Sequence, residues 1–362
     1  MFLNGDSTGS PKRLERYFNA AEAAVKIAID EIETLMLRAL ELRGIKGKDA
    51  EFVVWDFLSS ELQGHRSHGV GKFLLLDAAI EGRKGNIEEI SARGGNPVLL
   101  DCNGEIGQLA AKEGIERAVQ LMESQRMAAV GMINHSRYSR LGYIAEKLAD
   151  LGFASIVTNS AGPPAVPAMN AIESLYGTNP ICFGFPASQN IIIDFATSER
   201  PWGDIRDAVI REEQLPFDGF IDEDGKPTRD PDAANAVKSF GAHKGNALCM
   251  AIEILCGCLL AGLAGEEVET QYQLGSWLIV FDPKLVNEQA YFRSVEKLIE
   301  SIEKSTPIDD QQPVRVPGRR SLEARKSAEM SGEIEIDPNT LEYLTSMSAG
   351  GRHVLESNNK LD

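Results

Sequence analysis

Leu109-Ala-Ala-Lys-Glu-Gly-Ile-Glu-Arg-Ala-Val-Gln-Leu-Met-Glu-Ser124, then Ala128-Ala-Val-Gly-Met-Ile133, then Leu141-Gly-Tyr-Ile-Ala-Glu-Lys-Leu-Ala-Asp-Leu151 and Phe153-Ala-Ser-Ile-Val-Thr158 decide the fold class. The first and third stretches repeat apolar residues at helical spacing. The second and fourth are short, apolar runs of strand length. Gly152 stops the second helix before its strand. A helix–strand pair that recurs at once places the chain in the α/β class.

Working outward, Ile181–Phe185, Ile191–Phe195 and Trp277–Phe281 read as further strands. Asp218–Asp232 is rich in Asp, Gly and Pro and reads as a surface loop. Lys244–Ala264 reads as a buried helix and Asn287–Ser305 as an amphipathic one. Thr306–Pro317 is a polar connection to two helical stretches near Ser321–Ser331 and Pro338–Met347. Upstream, Leu14, Phe18, Ala21, Val25, Ala28, Ile32, Leu35, Ala39 and Leu42 alternate spacings of four and three, which predicts one helix over Leu14–Leu42. A second helix is expected over Lys48–Leu62, ending by Gly64.

The 362 residues, 43% of them hydrophobic, suffice for a large core. A net charge of −17 repels phosphate backbones and anionic membranes, so neither nucleic acid nor a membrane is an expected partner. The apolar run Ala247–Ala264 is broken by Glu253, Gly257 and Gly262 and reads as core rather than as a span. Met1–Arg13 lacks the apolar segment of a secretory signal. Five cysteines, an odd number without a CxxC pair, argue against a disulfide framework or structural zinc. They fit a reducing, cytoplasmic setting.

Neither GxGxxG nor GxxxxGK[ST] occurs, which argues against a Rossmann or P-loop nucleotide site. His65-Arg66-Ser67-His68-Gly69 gathers two of five histidines just past a helix end. A histidine beside a hydroxyl can donate a proton near neutral pH. On local grounds alone a polar helix terminus, its serine bonded to nearby backbone, is the better reading of the same residues. A metal site with His65 and His68 lacks a third ligand nearby, so no metal is expected. Asn134-His135-Ser136-Arg137-Tyr138 and Thr158-Asn159-Ser160 end strands, where α/β folds commonly place ligands; each is also an ordinary loop. Asp204 could orient a histidine or cap a helix. Gly241-Ala242-His243-Lys244-Gly245 opens the most apolar helix and offers free N–H groups to an anion, or simply to solvent.

Taken together, these segments resemble the malate/L-lactate dehydrogenase-like oxidoreductases, a non-Rossmann, nicotinamide-dependent family. The matching pieces are Ser67-His68-Gly69-Val70, Thr158-Asn159-Ser160, Gly177-Thr178-Asn179-Pro180, Asp194-Phe195-Ala196-Thr197-Ser198, Gly203-Asp204-Ile205, Gly225-Lys226-Pro227-Thr228, His243-Lys244-Gly245 and Arg315-Val316-Pro317-Gly318. Each is weak; their order along the chain is what is specific.

The resemblance implies a largely antiparallel central sheet flanked by helices, binding NADPH or NADH without GxGxxG. It implies hydride transfer to C2 of a small 2-oxo or cyclic 2-imino carboxylic acid, in a homodimer. His68 matches the proton donor, Ser67 its hydroxyl partner and Asp204 the acid completing the relay. Ser160, Asp194, Phe195, Ala196, His243, Lys244 and Gly318 match dinucleotide positions, and Thr178 and Asn179 lie where substrate is approached. The domains expected are 14–125 with 285–350, mainly helical and carrying Ser67-His68, and 126–284, an α/β cofactor domain, between flexible ends at 1–13 and 351–362.

Two positions depart from the family pattern. Lys72 stands where an arginine usually clamps the substrate carboxylate, so the bidentate fork is lost. Arg137 stands where many members carry an acid/base histidine. It cannot shuttle a proton, but it can bind a carboxylate or phosphate, and its presence tilts the expected chemistry toward reduction. The rival readings are a lapsed member that binds without turnover and a metal-dependent lyase built on His65 and His68.

Overall fold

The computed structural model describes residues 24–91, 95–211, 213–215, 219–309 and 311–351. Its centre is a seven-stranded sheet in the order Glu88–Glu89, Val98–Glu105, Met127–His135, Leu274–Phe281, Ala154–Asn159, Ile181–Phe185, Ile191–Phe195. Only Val98–Glu105 and Met127–His135 run parallel; every other neighbouring pair is antiparallel. The helices Gly107–Met122 and Gly142–Asp150 cover one face, close to the helical stretches expected from periodicity. Ala110, Ala111, Ile115, Ala118 and Met122 repeat at helical spacing and bury against Leu100, Val130, Met132, Leu278 and Val280.

A second core holds the helices Ile29–Glu41, Lys48–Leu62 and Pro338–Ser348, through Ile32, Met36, Phe57, Phe73 and Leu344. A third, smaller core gathers Val166, Ile205, Leu215, Phe220, Val237 and Cys249.

Three expectations change, and one strand is new. Within Leu14–Leu42, Val25–Ala28 is a strand, paired antiparallel with Glu333–Ile336, and the helix starts only at Ile29. Residues 14–23 lie outside the described residues, as do 1–13 and 352–362. Val25 and Ala28 happened to satisfy helical spacing, while the strand's partner lies three hundred residues away, beyond any local signal.

The strand Val98–Glu105 carries no clean sequence signal, because Asn103 (φ 50°) and Gly104 (φ 75°) interrupt its alternation. The Asp218–Asp232 segment contributes Phe220–Ile221 and Pro227–Thr228 to a three-stranded sheet with Ala236–Val237, because Phe220 and Ile221 are buried; residues 216–218 lie outside the described residues.

The expected buried helix spans His243–Cys256 and is buried on one side only. Cys249, Ile252, Glu253 and Cys256 pack inward, while Met250, Ile254, Leu255 and Leu259 are exposed. His243–Leu260 is long and apolar enough to cross a membrane by length and composition, and 44% of it is buried within the fold. The helix stops at Gly257, where a Cβ would come within 2.5 Å of Leu263 O and 2.8 Å of Glu253 O.

Candidate active site

A cavity of about 1660 Å³ opens where the three cores meet. Phe57 and Leu76 line it from the first, Tyr138, Leu141 and Ile192 from the sheet, and Ile205 and Trp202 from the third. Ser67, His68, Lys72, Arg137, Thr178, Asp194, Phe195, Ala196 and Gly318 all face it. Segments 250 residues apart in sequence therefore share one wall.

Ser67 and His68 sit on a single 3-10 turn, Arg66–His68, between the helix Lys48–Leu62 and the short helix Val70–Phe73. Gly64 (φ 80°) ends the long helix. Glu61 then reaches across the turn and accepts a hydrogen bond from Val70 N (2.9 Å). A Cβ on residue 69 would lie 2.0 Å from Glu61 Oε2, so the glycine there leaves room for the Glu61 carboxylate to reach Val70 N. Ser67 Oγ meets His68 Nδ1 at 2.9 Å. His65 is tied elsewhere: its Nε2 meets Ser321 Oγ at 3.1 Å. Burial, with Arg140 nearby, lowers its pKa to about 4.

The loop after the strand Met127–His135 supplies the cations. Arg137 faces the cavity and reaches Gly162 O at 3.5 Å. Arg140 donates to Ser60 Oγ (2.9 Å) and Gln63 Oε1 (2.8 Å), and Glu146 lies 3.8 Å away.

His135, in contrast, is fully buried and off the cavity wall. Its Nδ1 meets Ser136 O at 2.8 Å and its Nε2 meets Ser276 Oγ at 2.7 Å. A carbonyl only accepts, so Nδ1 carries the proton and the Ser276 hydroxyl donates to Nε2. Asn159 fits that arrangement with its amide turned so that the nitrogen donates to Ser276 Oγ (3.0 Å) and Gly275 O (2.9 Å). Burial lowers the His135 pKa to about 4.

Several expected site residues are placed otherwise. Asn179 is fully buried and off the wall: its Oδ1 accepts from Ala161 N (3.0 Å), and its Nδ2 donates to Cys249 O (3.1 Å) and Glu253 Oε1 (2.9 Å). Ser160 is buried too, exchanging hydrogen bonds with Gly275 through its hydroxyl. His243 and Lys244 are exposed at the start of their helix and do not line the cavity of their own chain. Asp204 pairs with Arg200 (2.5 Å), between the cavity-lining residues Gly203 and Ile205.

Asp194 faces the cavity but also accepts from Gly142 N (2.7 Å), capping the helix Gly142–Asp150 from a neighbouring strand. Burial pushes its pKa up, opposed by Arg140. Gly318 (φ 83°) lies against the strand Ile191–Phe195, and a Cβ there would sit 2.8 Å from Ile192 O.

Sequence reasoning missed Asp56 and Arg140. A usable signal existed for each. Asp56 interrupts the apolar run Phe52–Leu58, and Arg140 puts a cation just before a helix start, where the dipole disfavours it. Among the described residues, no group of three or more His, Cys, Asp or Glu side chains could hold a metal ion.

The sequence model of a family described as malate/L-lactate dehydrogenase matches residues 27–345. The chain is 29% identical over 335 residues to malate/(S)-sulfolactate dehydrogenase of Methanothermus fervidus, covering 88% of this chain and 96% of the relative. It is 27% identical over 326 residues to the delta(1)-pyrroline-2-carboxylate/delta(1)-piperideine-2-carboxylate reductase of Pseudomonas aeruginosa, covering 85% and 95%. The crystal structure of a dehydrogenase from Sinorhizobium meliloti superposes with a TM-score of 0.82 at 26% identity, covering 92% of this chain and 99% of that one.

Proposed function

The chain belongs to the malate/L-lactate dehydrogenase family, and from that premise we propose a reductase that acts on C2 of a small 2-oxo or cyclic 2-imino carboxylic acid, with His68 as proton donor. Membership makes it a nicotinamide-dependent oxidoreductase of CH–OH or CH–NH groups. The observation that carries the finer reading is the Ser67–His68 contact on the wall of a cavity that also presents Lys72 and Arg137.

The cavity fits a dinucleotide with a small acid beside it, since pockets for single drug-sized ligands hold only about 300–1,000 Å³ against about 1660 Å³ here. Asp194, Phe195, Ala196 and Gly318 would hold the nucleotide. When bound, its nicotinamide ring supplies the hydride. Whether it is NADH or NADPH is part of the test below.

In this reading the residues divide the work. The Ser67 hydroxyl orients the imidazole through Nδ1, and Nε2 gives up the proton to the substrate heteroatom. By the family resemblance Asp204, whose carboxylate pairs with Arg200 (2.5 Å), would be the acid that stabilises the charged ring. Lys72 and Arg137 neutralise the carboxylate against an overall field of −17. Thr178 lies on the same wall, its carbonyl held by the N–H and hydroxyl of Thr197 (both 2.9 Å).

We place the protein in the cytoplasm, a reading supported by five unpaired cysteines. We also propose a homodimer, formed through the exposed apolar residues Met250, Ile254 and Leu255 of the helix His243–Cys256.

The test is nucleotide oxidation, NADPH and NADH separately, against 2-oxo acids with and without methylamine and against cyclic imino acids. Turnover is expected with at least one class. His68→Ala should lose about 10²–10⁴-fold in kcat while nucleotide binding, followed by fluorescence, is kept. Full activity in that variant overturns the assignment. Nucleotide binding without turnover on any acid favours a lapsed member, a reading the Lys72 and Arg137 replacements motivate.

A further inference from the structure

The cation-bearing loop of the cavity is anchored from beneath by one buried carboxylate. Asp56, fully buried in the helix Lys48–Leu62, accepts from the Ser139 hydroxyl and from Ser139 N–H, and from Gln108 Nε2 at 2.9 Å. One turn later on the same helix, Ser60 accepts from Arg140 Nε. The other end of the loop is pinned independently: Ser136 N donates to Glu105 O (2.9 Å), and Ser136 Oγ accepts from Gly107 N (3.0 Å). Arg137 and Tyr138 face the cavity between these two anchors.

Resting on the reductase reading above, we infer that Asp56 is a proton-sensitive positioning residue, which in its charged form holds the Arg137–Arg140 segment in place for the substrate carboxylate and releases part of that hold when it is protonated.

The second observation is at Gln108. Its Oε1 is buried and has no hydrogen-bond partner, on the residue whose nitrogen already donates to Asp56. A protonated Asp56 supplies the donor that this oxygen lacks, once the amide turns over. The Asp56 carboxyl therefore meets Gln108 in either state, as acceptor from the amide nitrogen when charged and as donor to the amide oxygen when protonated. The two states differ in their grip on Ser139, because hydrogen bonds to an ionised acceptor are roughly twice as strong as neutral ones.

The surrounding charges set where the change falls. Arg140 on the loop favours the carboxylate, and the Tyr143 phenol packs from the helix Gly142–Asp150. Arg140 divides its field with Asp194, Glu146 and His65. Burial outweighs these and pushes the Asp56 pKa up to about 6, within the range where an enzyme assay can be run.

The experiment measures kcat and KM for the carboxylate substrate from pH 5 to 8 in the wild type, Asp56→Asn and Ser139→Ala. In parallel, amide hydrogen exchange is followed over residues 136–141, corrected for intrinsic rates. In the wild type KM is expected to rise roughly five- to ten-fold on acidification through about pH 6, with kcat changing less, as charge-assisted bonds become neutral ones. Asp56→Asn should show the high KM at every pH with the acid limb gone. Ser139→Ala should raise KM yet keep the limb. Exchange over 136–141 should quicken in acid in the wild type and be fast and pH-independent in Asp56→Asn. If Asp56→Asn keeps the wild-type pH dependence of both KM and exchange, the inference is overturned. If no substrate turns over, the reductase reading fails, and the exchange arm alone decides the role of Asp56.

Discussion

His135 is the histidine nearest in sequence to where a second acid/base group was sought, and its surroundings give it a different duty. Both ring nitrogens are engaged by Ser136 and Ser276, and the ring is stacked on Tyr138 at 4.7 Å between centroids. A ring held neutral, with its pKa at about 4 rather than 6.5, stabilises the fold fully above pH 6.5 and loses that contribution as pH falls toward 4. Between pH 7 and 5 the loss is about 2 kcal/mol, at about 1.4 kcal/mol per pH unit. Asp56 works in the opposite sense. Its raised pKa makes its contribution complete below the ordinary carboxylate value and lost as pH rises through about 6. The wild type should therefore show a flattened stability profile in this window. Urea unfolding of His135→Asn at pH 7 and pH 5 checks it: the stability gap to the wild type should be smaller at pH 5 by about 2 kcal/mol. A gap that stays constant would show that His135 titrates normally.

At the scale of elements, the strand Leu274–Phe281 joins most of the fold, pairing with Met127–His135 on one side and Ala154–Asn159 on the other. Gly275 lies under the end of the helix His243–Cys256, where a Cβ would come 1.8 Å from Cys256 O. That atom is backbone and cannot swing aside. Gly152 ends the helix Gly142–Asp150 at φ 88° with nothing within 4 Å, so a substitution there meets strain alone. Gly275→Ala should cost about 3 kcal/mol or more, against about 1 kcal/mol for Gly152→Ala, measured as urea midpoints at constant m. Equal costs would mean that the helix end yields easily.

The same contrast between local and distant causes explains what the sequence disclosed. The Leu109–Thr158 stretches and Ile181–Phe195 followed their periodicity, because each buries a face against its immediate neighbours. Val25–Ala28 did not, since its partner is Glu333–Ile336. In the site, Ser67-His68 and Asp194–Ala196 stood out as short ordered motifs. Asn179 carried the same kind of signal, although its side chain is spent on Cys249 and Glu253. A motif marks that a side chain is constrained, and does not say whether a ligand or the fold constrains it.

For the whole molecule, charge and apolar surface pull on the same question. At −17, copies of this chain repel one another unless they meet on an uncharged patch. From Gly245 to Ala264 the only charged residue is Glu253, and it is turned inward, accepting from Gly177 N (2.9 Å) and Gly265 N (3.1 Å). The outward face therefore presents Met250 (51% exposed), Ile254 (47%), Leu255 (43%) and Leu259 (63%) with no charge among them. Exposed apolar residues of this kind, on a helix packed to the core and on the 3-10 turn Cys258–Leu260 that follows it, are a candidate interface. A second copy is the occupant that brings the same uncharged face to it. Stable pairs bury about 800 Å² per partner, so the helix must be the centre of a wider contact. Sedimentation should show twice the mass of one chain for the wild type. Ile254→Glu combined with Leu259→Glu places two like charges from each copy at that centre and should give monomers with unchanged secondary structure. If the double variant still sediments as a dimer, the pairing runs through another face.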